Sequence, residues 1–421
     1  MKLFKHKNAR KLPAASALQS ATIAGSGSSG VVASASHSGL HFVDNSQGAS
    51  QAVKELSNTL DESLNEIEVY GDRLEEYQDR LDREASKYSN SSLSWCKSKE
   101  EWSCNQNDAD LIFVAWTCAA GAYDVTPVTN SEKCTFDQRK IIKPSLGGTT
   151  KATVLTLVKA TSPHVDAESR FPVLVIAVRG TASTVDNMVN LNAAPRSAES
   201  YLCIQQICQN QSVSHVLFTG HSAGAAVTSL LTSDRVADIL TDIQPRVSCI
   251  TFGGPPVMKA LNQDNLANPS RTYLWINVIN EYDLIARADR PYIRSIVDLF
   301  RSMYGQPILS DVDERLAMPE GALHVSGSCT DGAKIYERWL LPPPEYCHYG
   351  DIIVLQHTLR PLNPNGQDDL TTDGKLILKA WKVSWAEFSQ LLFGRVAVHS
   401  RENYQKRIVK IAGGALSRKY P

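Results

Sequence analysis

Ser222 stands in Thr219-Gly-His-Ser-Ala-Gly224, a Gly-x-Ser-x-Gly run between an apolar stretch, Val213–Thr219, and an Ala-rich one that begins at Ala223. A strand that turns sharply into a helix sets such a serine on a strained bend, its hydroxyl exposed above a sheet as a nucleophile for acyl transfer. Gly220 and Gly224 suit that bend, because side chains there would collide as strand and helix approach. The Ala223 N–H opens the helix, where free N–H groups and the helix dipole favour developing negative charge. Acyl transfer needs two such oxyanion donors, since losing one costs about 10²–10³ in rate. The apolar run Val173–Val178 ends in Arg179-Gly-Thr181, a polar turn that places the Thr181 N–H and hydroxyl as the second donor. An acid must orient the base that serves the serine. Asp283 follows the apolar run Thr272–Ile279 at the carboxyl edge of a sheet, where Ser222 also sits, and Asp289 is its rival.

Four segments, in order, resemble the class 3 (fungal-type) lipase family of the α/β-hydrolase fold. Val178–Ser183 resembles its oxyanion strand and Thr219–Gly224 its elbow. Thr251-Phe-Gly-Gly-Pro-Pro-Val257 resembles the strand and turn that follow, and Asn277–Arg287 the strand end that carries the acid. The elbow reads Ala-Gly-Ala-Ala where the family usually has Leu-Gly-Gly-Ala, and residues 1–90 lie outside the resemblance. The resemblance implies Asp283 rather than Asp289 as the acid, with the base further along the chain. Candidates are His324, His348, His357 and His399. His348 resembles the family's His-x-Gly segment before an edge strand, whose histidine is usually not the base. His399, ahead of Tyr404 and after a helical stretch Trp385–Phe393, fits the place of the base. The ring of His221 is expected to point away from the site. Residues 288–340 and 358–382 lengthen the path from acid to base and read as surface insertions.

The resemblance implies a serine hydrolase that cleaves carboxylic esters of lipids, acylglycerols first, through Ser222, Asp283 and His399, with Thr181 and Ala223 as the oxyanion hole and no metal or cofactor. The alternatives are a phospholipase A or small-ester esterase, or a catalytically silent scaffold that binds partners. Ala182–Leu191 stands where the family carries a lid, with Val185, Met188 and Val189 on one face. The partners implied are a lipid ester substrate and a membrane or lipid-droplet surface.

The elements that must position these residues are also readable. Thr153–Ala160, Val173–Arg179, Val213–Thr219, Val247–Phe252 and Thr272–Ile279 are short, β-branched and continuously apolar, as strands covered on both faces are. Helical stretches between several of them predict βαβ units and a mostly parallel central sheet flanked by helices, and the resemblance implies that this is an α/β-hydrolase over residues 91–421. Upstream, Val53, Leu60, Ile67, Leu74, Leu81 and Tyr88 recur every seven residues. They predict a long amphipathic helix over 51–90, either a coiled-coil arm for self- or partner association or a helix packed along its own domain. Its net negative charge disfavours anionic lipid. Residues 1–50 read as a disordered or targeting tail, basic and Ser-rich at its start.

The 421 residues balance 43 Lys+Arg against 44 Asp+Glu, which argues against a nucleic-acid partner. The apolar runs fall well short of the roughly 20 residues of a membrane-spanning helix. Nine cysteines without a Cys-x-x-Cys pair point away from zinc and towards free thiols in a reducing compartment, with Cys96–Cys104 and Cys203–Cys208 the pairs still able to bridge. The expected location is intracellular, the cytoplasm before the mitochondrion.

Overall fold

The computed structural model describes residues 74–124, 130–131, 133–142, 153–161, 171–180, 208, 213, 215–239, 246–259, 272–306, 308, 338–359 and 376–417. All belong to one compact unit, Gln47–Pro421. The tail, most of the heptad stretch, Thr181 and the 182–191 segment lie outside the described residues.

One sheet of nine strands forms the frame, in the order β1-β9-β8-β7-β6-β5-β4-β3-β2. In chain order the strands are β1 (Glu100–Glu101), β2 (Cys134–Ile142), β3 (Thr153–Ala160), β4 (Val173–Val178), β5 (His215–His221), β6 (Arg246–Phe252), β7 (Thr272–Asn280), β8 (Asp351–Leu359) and β9 (Leu376–Val383). The five strands expected from their apolar runs are β3 to β7, within about two residues at each end. Strands β4 to β8 run parallel. Both edges are antiparallel, β2 and β3 beyond β4 and β9 and β1 beyond β8, so the sheet is mixed.

The absence of alternation in these strands has a plain cause. Leu155, Leu157, Leu174, Ile176, Val216 and Phe218 are buried on one face of the sheet. Val154, Val158, Val173, Val175 and Leu217 are buried on the other. That second face is closed by α2 (Gln106–Asp124), through Leu111, Ile112 and Trp116, and by α6 (Arg401–Ala412), through Tyr404, Ile408 and Ile411. Helix α3 (Ala223–Ile239) runs back along β5 and β6.

The two expected insertions contain ordered structure. Residues 376–383, inside the expected insertion 358–382 but for one, form β9. Its burial alternates over Leu378–Trp381, Leu378 and Ala380 buried and Lys379 and Trp381 half-buried, as in a strand near the sheet edge. Strand β8 is therefore not an edge strand. Within 288–340 lies α4 (Arg290–Met303), capped by Asp289, whose Oδ1 accepts from the Tyr292 N–H at 3.1 Å. The helix expected over Trp385–Phe393 is the short α5, Trp385–Phe388.

Of the heptad stretch, α1 (Leu74–Ala85) is described. Leu81 and Ala85 are buried against Tyr292, Ile293 and Ile296 of α4. At Leu81 and Ala85 the helix packs along its own domain, so these two residues are not free for a coiled-coil partner. Asp82 of α1 pairs with Arg395 at 2.6 Å. Beyond α1, the Asn90 side chain donates to the carbonyls of Trp339 (3.0 Å) and Gln390 (2.8 Å), and the Asn90 backbone carbonyl accepts from the Leu392 N–H at 2.8 Å. The N-terminal segment therefore grips the chain just before His399. Seven cysteines among the described residues are buried and form no disulfide, Cys96, Cys104 and Cys208 among them, in line with the expected thiols, so neither pair able to bridge does so.

Candidate active site

The elbow is built where the glycine spacing placed it. Strand β5 ends at His221, Ser222 takes φ 61, and α3 starts at Ala223. A non-glycine residue in the left-handed region is strained and persists only where its surroundings fix it. Here the Ser222 N–H donates to the Phe252 carbonyl at 2.9 Å and its carbonyl accepts from the Ala225 N–H at 2.9 Å. The turn leaves no room for side chains beside it: a Cβ on Gly220 would lie 2.5 Å from the Gly224 carbonyl, and one on Gly224 would overlap the Val178 carbonyl. Ala223 is the first residue of α3, so its N–H has no intrahelical acceptor. Ser222 itself is only 1 % exposed. The hydroxyl expected to stand open above the sheet is enclosed.

Asp283 and His399 are brought together from turns 116 residues apart, with Nδ1 of the histidine 2.9 Å from Oδ2 and 3.1 Å from Oδ1. Asp283 is fully buried and sits in a tight turn after β7. Its neighbour Tyr282 has φ 72, and the Asp283 N–H returns to the Asn280 carbonyl at 3.1 Å. The Ile285 N–H donates to Oδ1 at 3.0 Å and the Tyr404 hydroxyl to Oδ2 at 2.7 Å. Burial and the charge of Asp283 push the Tyr404 pKa well above its ordinary value, so Tyr404 stays a donor. The turn of His399 is tied to that of Asp283 at four further points. Asn280 donates to the Val398 carbonyl at 2.9 Å. Arg395 brackets Asp283 through backbone bonds to Tyr282 (3.0 Å) and Leu284 (3.3 Å). Its guanidinium lies 4.1 Å from the centre of the Tyr282 ring.

With Nδ1 engaged on the carboxylate, His399 keeps Nε2 buried and without a partner, and the Ser222 hydroxyl is in the same condition. His221 is what sequence reasoning misplaced. Its ring does not point away but stacks on His399, centroids 4.7 Å apart and planes 24° apart. The side-to-side alternation of a strand ends at Ser222, where φ changes sign, so a residue beside the serine need not face away from it.

The other candidates are elsewhere. His348 is buried, donates from Nε2 to the Ala286 carbonyl at 2.9 Å, and packs edge-on against Trp385 and Phe388. Asp289 caps α4 and accepts from the Glu345 N–H at 2.9 Å. His357 is on β8 beside Lys410. His324 lies outside the described residues, as does Thr181.

Burial lowers the His348 pKa from 6.5 to about 4. Between those values the unfolded chain binds a proton that the folded chain refuses, so this group's contribution to stability is intact above pH 6.5 and lost as pH falls towards about 4. His348→Gln, which keeps a donor for Ala286, is expected to flatten the fall in urea midpoint over that range, by about 1.4 kcal/mol per pH unit at most. Parallel slopes for the two proteins would show that His348 does not carry this dependence.

The family model for class 3 lipases matches residues 197–292. That stretch holds Ser222, Ala223 and Asp283, and His399 lies beyond it. No curated protein matches the chain. Among solved structures, the Rhizomucor miehei lipase propeptide complex is similar at 13% identity and TM-score 0.37, over 72% of this chain and 82% of that one. Lip2 lipase from Yarrowia lipolytica is similar at 15% identity and TM-score 0.30, over 45% and 76%. A structure described as a triacylglycerol lipase whose catalytic centre is a serine protease triad has 14% identity and TM-score 0.35, over 71% and 96%.

Proposed function

We propose that this chain is a serine hydrolase of lipid esters, acylglycerols first, working through Ser222, His399 and Asp283. His399 Nε2 takes the proton of the Ser222 hydroxyl as the oxygen attacks the ester carbonyl. Asp283 keeps the imidazole in the tautomer that leaves Nε2 able to accept, and stabilises the imidazolium that forms. The Ala223 N–H, at the head of α3, is one donor to the oxyanion, and Thr181 is the other. His399 then protonates the departing alcohol, and a water activated by the same nitrogen frees the acid from the acyl-enzyme.

The observation that carries this reading is the state of the imidazole: its Nδ1 rests on a buried carboxylate at 2.9 Å, while Nε2 and the serine hydroxyl are both buried and unbonded. A hydroxyl and an imidazole nitrogen each forfeit hydrogen bonding when buried alone, a cost a mere scaffold has no reason to bear.

A fluorophosphonate probe reacts only with an activated serine. The full chain is expected to form a single adduct, mapped to Ser222 by peptide mass spectrometry and absent in Ser222→Ala. A folded chain that neither labels nor hydrolyses p-nitrophenyl butyrate would leave the partner-binding scaffold as the reading. Rates on emulsified triacylglycerols, phospholipid vesicles and dissolved short esters rank the three substrate classes.

A further inference from the structure

Resting on the reading of His399 as the base, we propose that Tyr123 and His221 are positioning residues that hold the His399 ring in its working orientation. His221 Nε2 lies 3.1 Å from the His399 carbonyl. A carbonyl only accepts, so Nε2 carries the proton and Nδ1 the lone pair. Into that lone pair the Tyr123 hydroxyl, at the end of α2, donates at 2.9 Å. Both nitrogens of His221 are thereby occupied. The ring can neither turn nor compete for the serine proton, and it holds the backbone of the base from below.

The stacked rings give the second half of the argument. His221 covers one face of the His399 ring, and Tyr404 stands edge-on to it, centroids 6.3 Å apart. Asp283 holds the Nδ1 edge. The imidazole is thus held at a face, an edge and its own backbone carbonyl, and Nε2 is left free. Burial and the neighbouring His399 keep His221 uncharged, so it does not repel the imidazolium formed during the reaction. Tyr123 also touches the oxyanion turn. A Cβ on Gly180, the residue before Thr181, would overlap its hydroxyl and come within 2.6 Å of the His221 carbonyl. One phenol therefore spaces the ends of β4 and β5, which lead to the two expected oxyanion donors.

The test uses Tyr123→Phe, which removes only the hydroxyl, His221→Phe, which keeps a stacked ring without a donor, and His221→Gln, which keeps a terminal N–H. On p-nitrophenyl butyrate, kcat is expected to fall about tenfold in Tyr123→Phe and about 100-fold in His221→Phe, with KM within about twofold of wild type. His221→Gln is expected to recover most of the kcat lost in His221→Phe. An unchanged kcat in Tyr123→Phe, a loss confined to KM, or a Gln variant no better than Phe would overturn the proposal. If His221→Phe does not fold, Tyr123→Phe decides alone. Failure of the underlying reading looks different: the wild-type chain would be inert, or His399→Ala would remain active.

Discussion

His399→Ala is expected to lower kcat by about 10⁴- to 10⁶-fold on a short-chain ester, the scale seen when the base of a nucleophilic triad is deleted. With no imidazole to take its proton, the Ser222 hydroxyl must attack with that proton still attached, and the leaving alcohol departs without one. KM should change little, because the imidazole does not hold the acyl chain. His348→Ala is the informative control. His348 lies between Ala286, Trp385 and Phe388, so its loss opens a buried space and lowers the melting temperature, while kcat stays within about threefold. Steady-state kinetics and thermal melts on both variants separate the two roles. A His399→Ala protein with a tenth of normal activity or more would end the assignment of the base.

Asp283→Asn is the second large effect, about 10⁴-fold in kcat with the fold retained. The side chain accepts from His399 Nδ1, the Tyr404 hydroxyl and the Ile285 N–H. An amide offers an N–H to the imidazole in place of a lone pair. It favours the tautomer protonated at Nε2, which cannot take the serine proton, and it withdraws the charge that stabilises the imidazolium. Asp289→Asn tests the rival carboxylate: asparagine caps a helix about as well as aspartate, so α4 keeps its cap and kcat is left alone. Activity surviving in the first variant and lost in the second would exchange their roles.

The central strands were legible because strands buried on both faces carry short continuous apolar runs instead of alternation. Strand β9 was not, since near the sheet edge only part of it is buried and two lysines interrupt its apolar residues. Ser222 was legible because an elbow constrains its neighbours to glycine, and Asp283 because it follows a strand end. The reading of His399 as the base rested on the family resemblance, for nothing within about ten residues of it marks one. The pairings that complete the site were hidden for the same reason. Tyr123 meets His221 across 98 positions and Tyr404 meets Asp283 across 121, and local patterns carry no trace of such partners. The stacked orientation of His221 was lost for another cause, a reversal of φ that strand periodicity does not anticipate.

The Asp82–Arg395 pair has a practical corollary. Arg395 straddles the acid through its main chain and reaches α1 through its side chain. The segment that best resembles known hydrolases begins more than a hundred positions after α1, yet the working unit starts before it. A trimmed version that opened at the elbow's own half of the chain would retain Ser222, Asp283 and His399 and lose the buttress behind two of them. Anyone shortening or transplanting this domain should keep α1, whose Asp82 holds Arg395 beside the turn of Asp283.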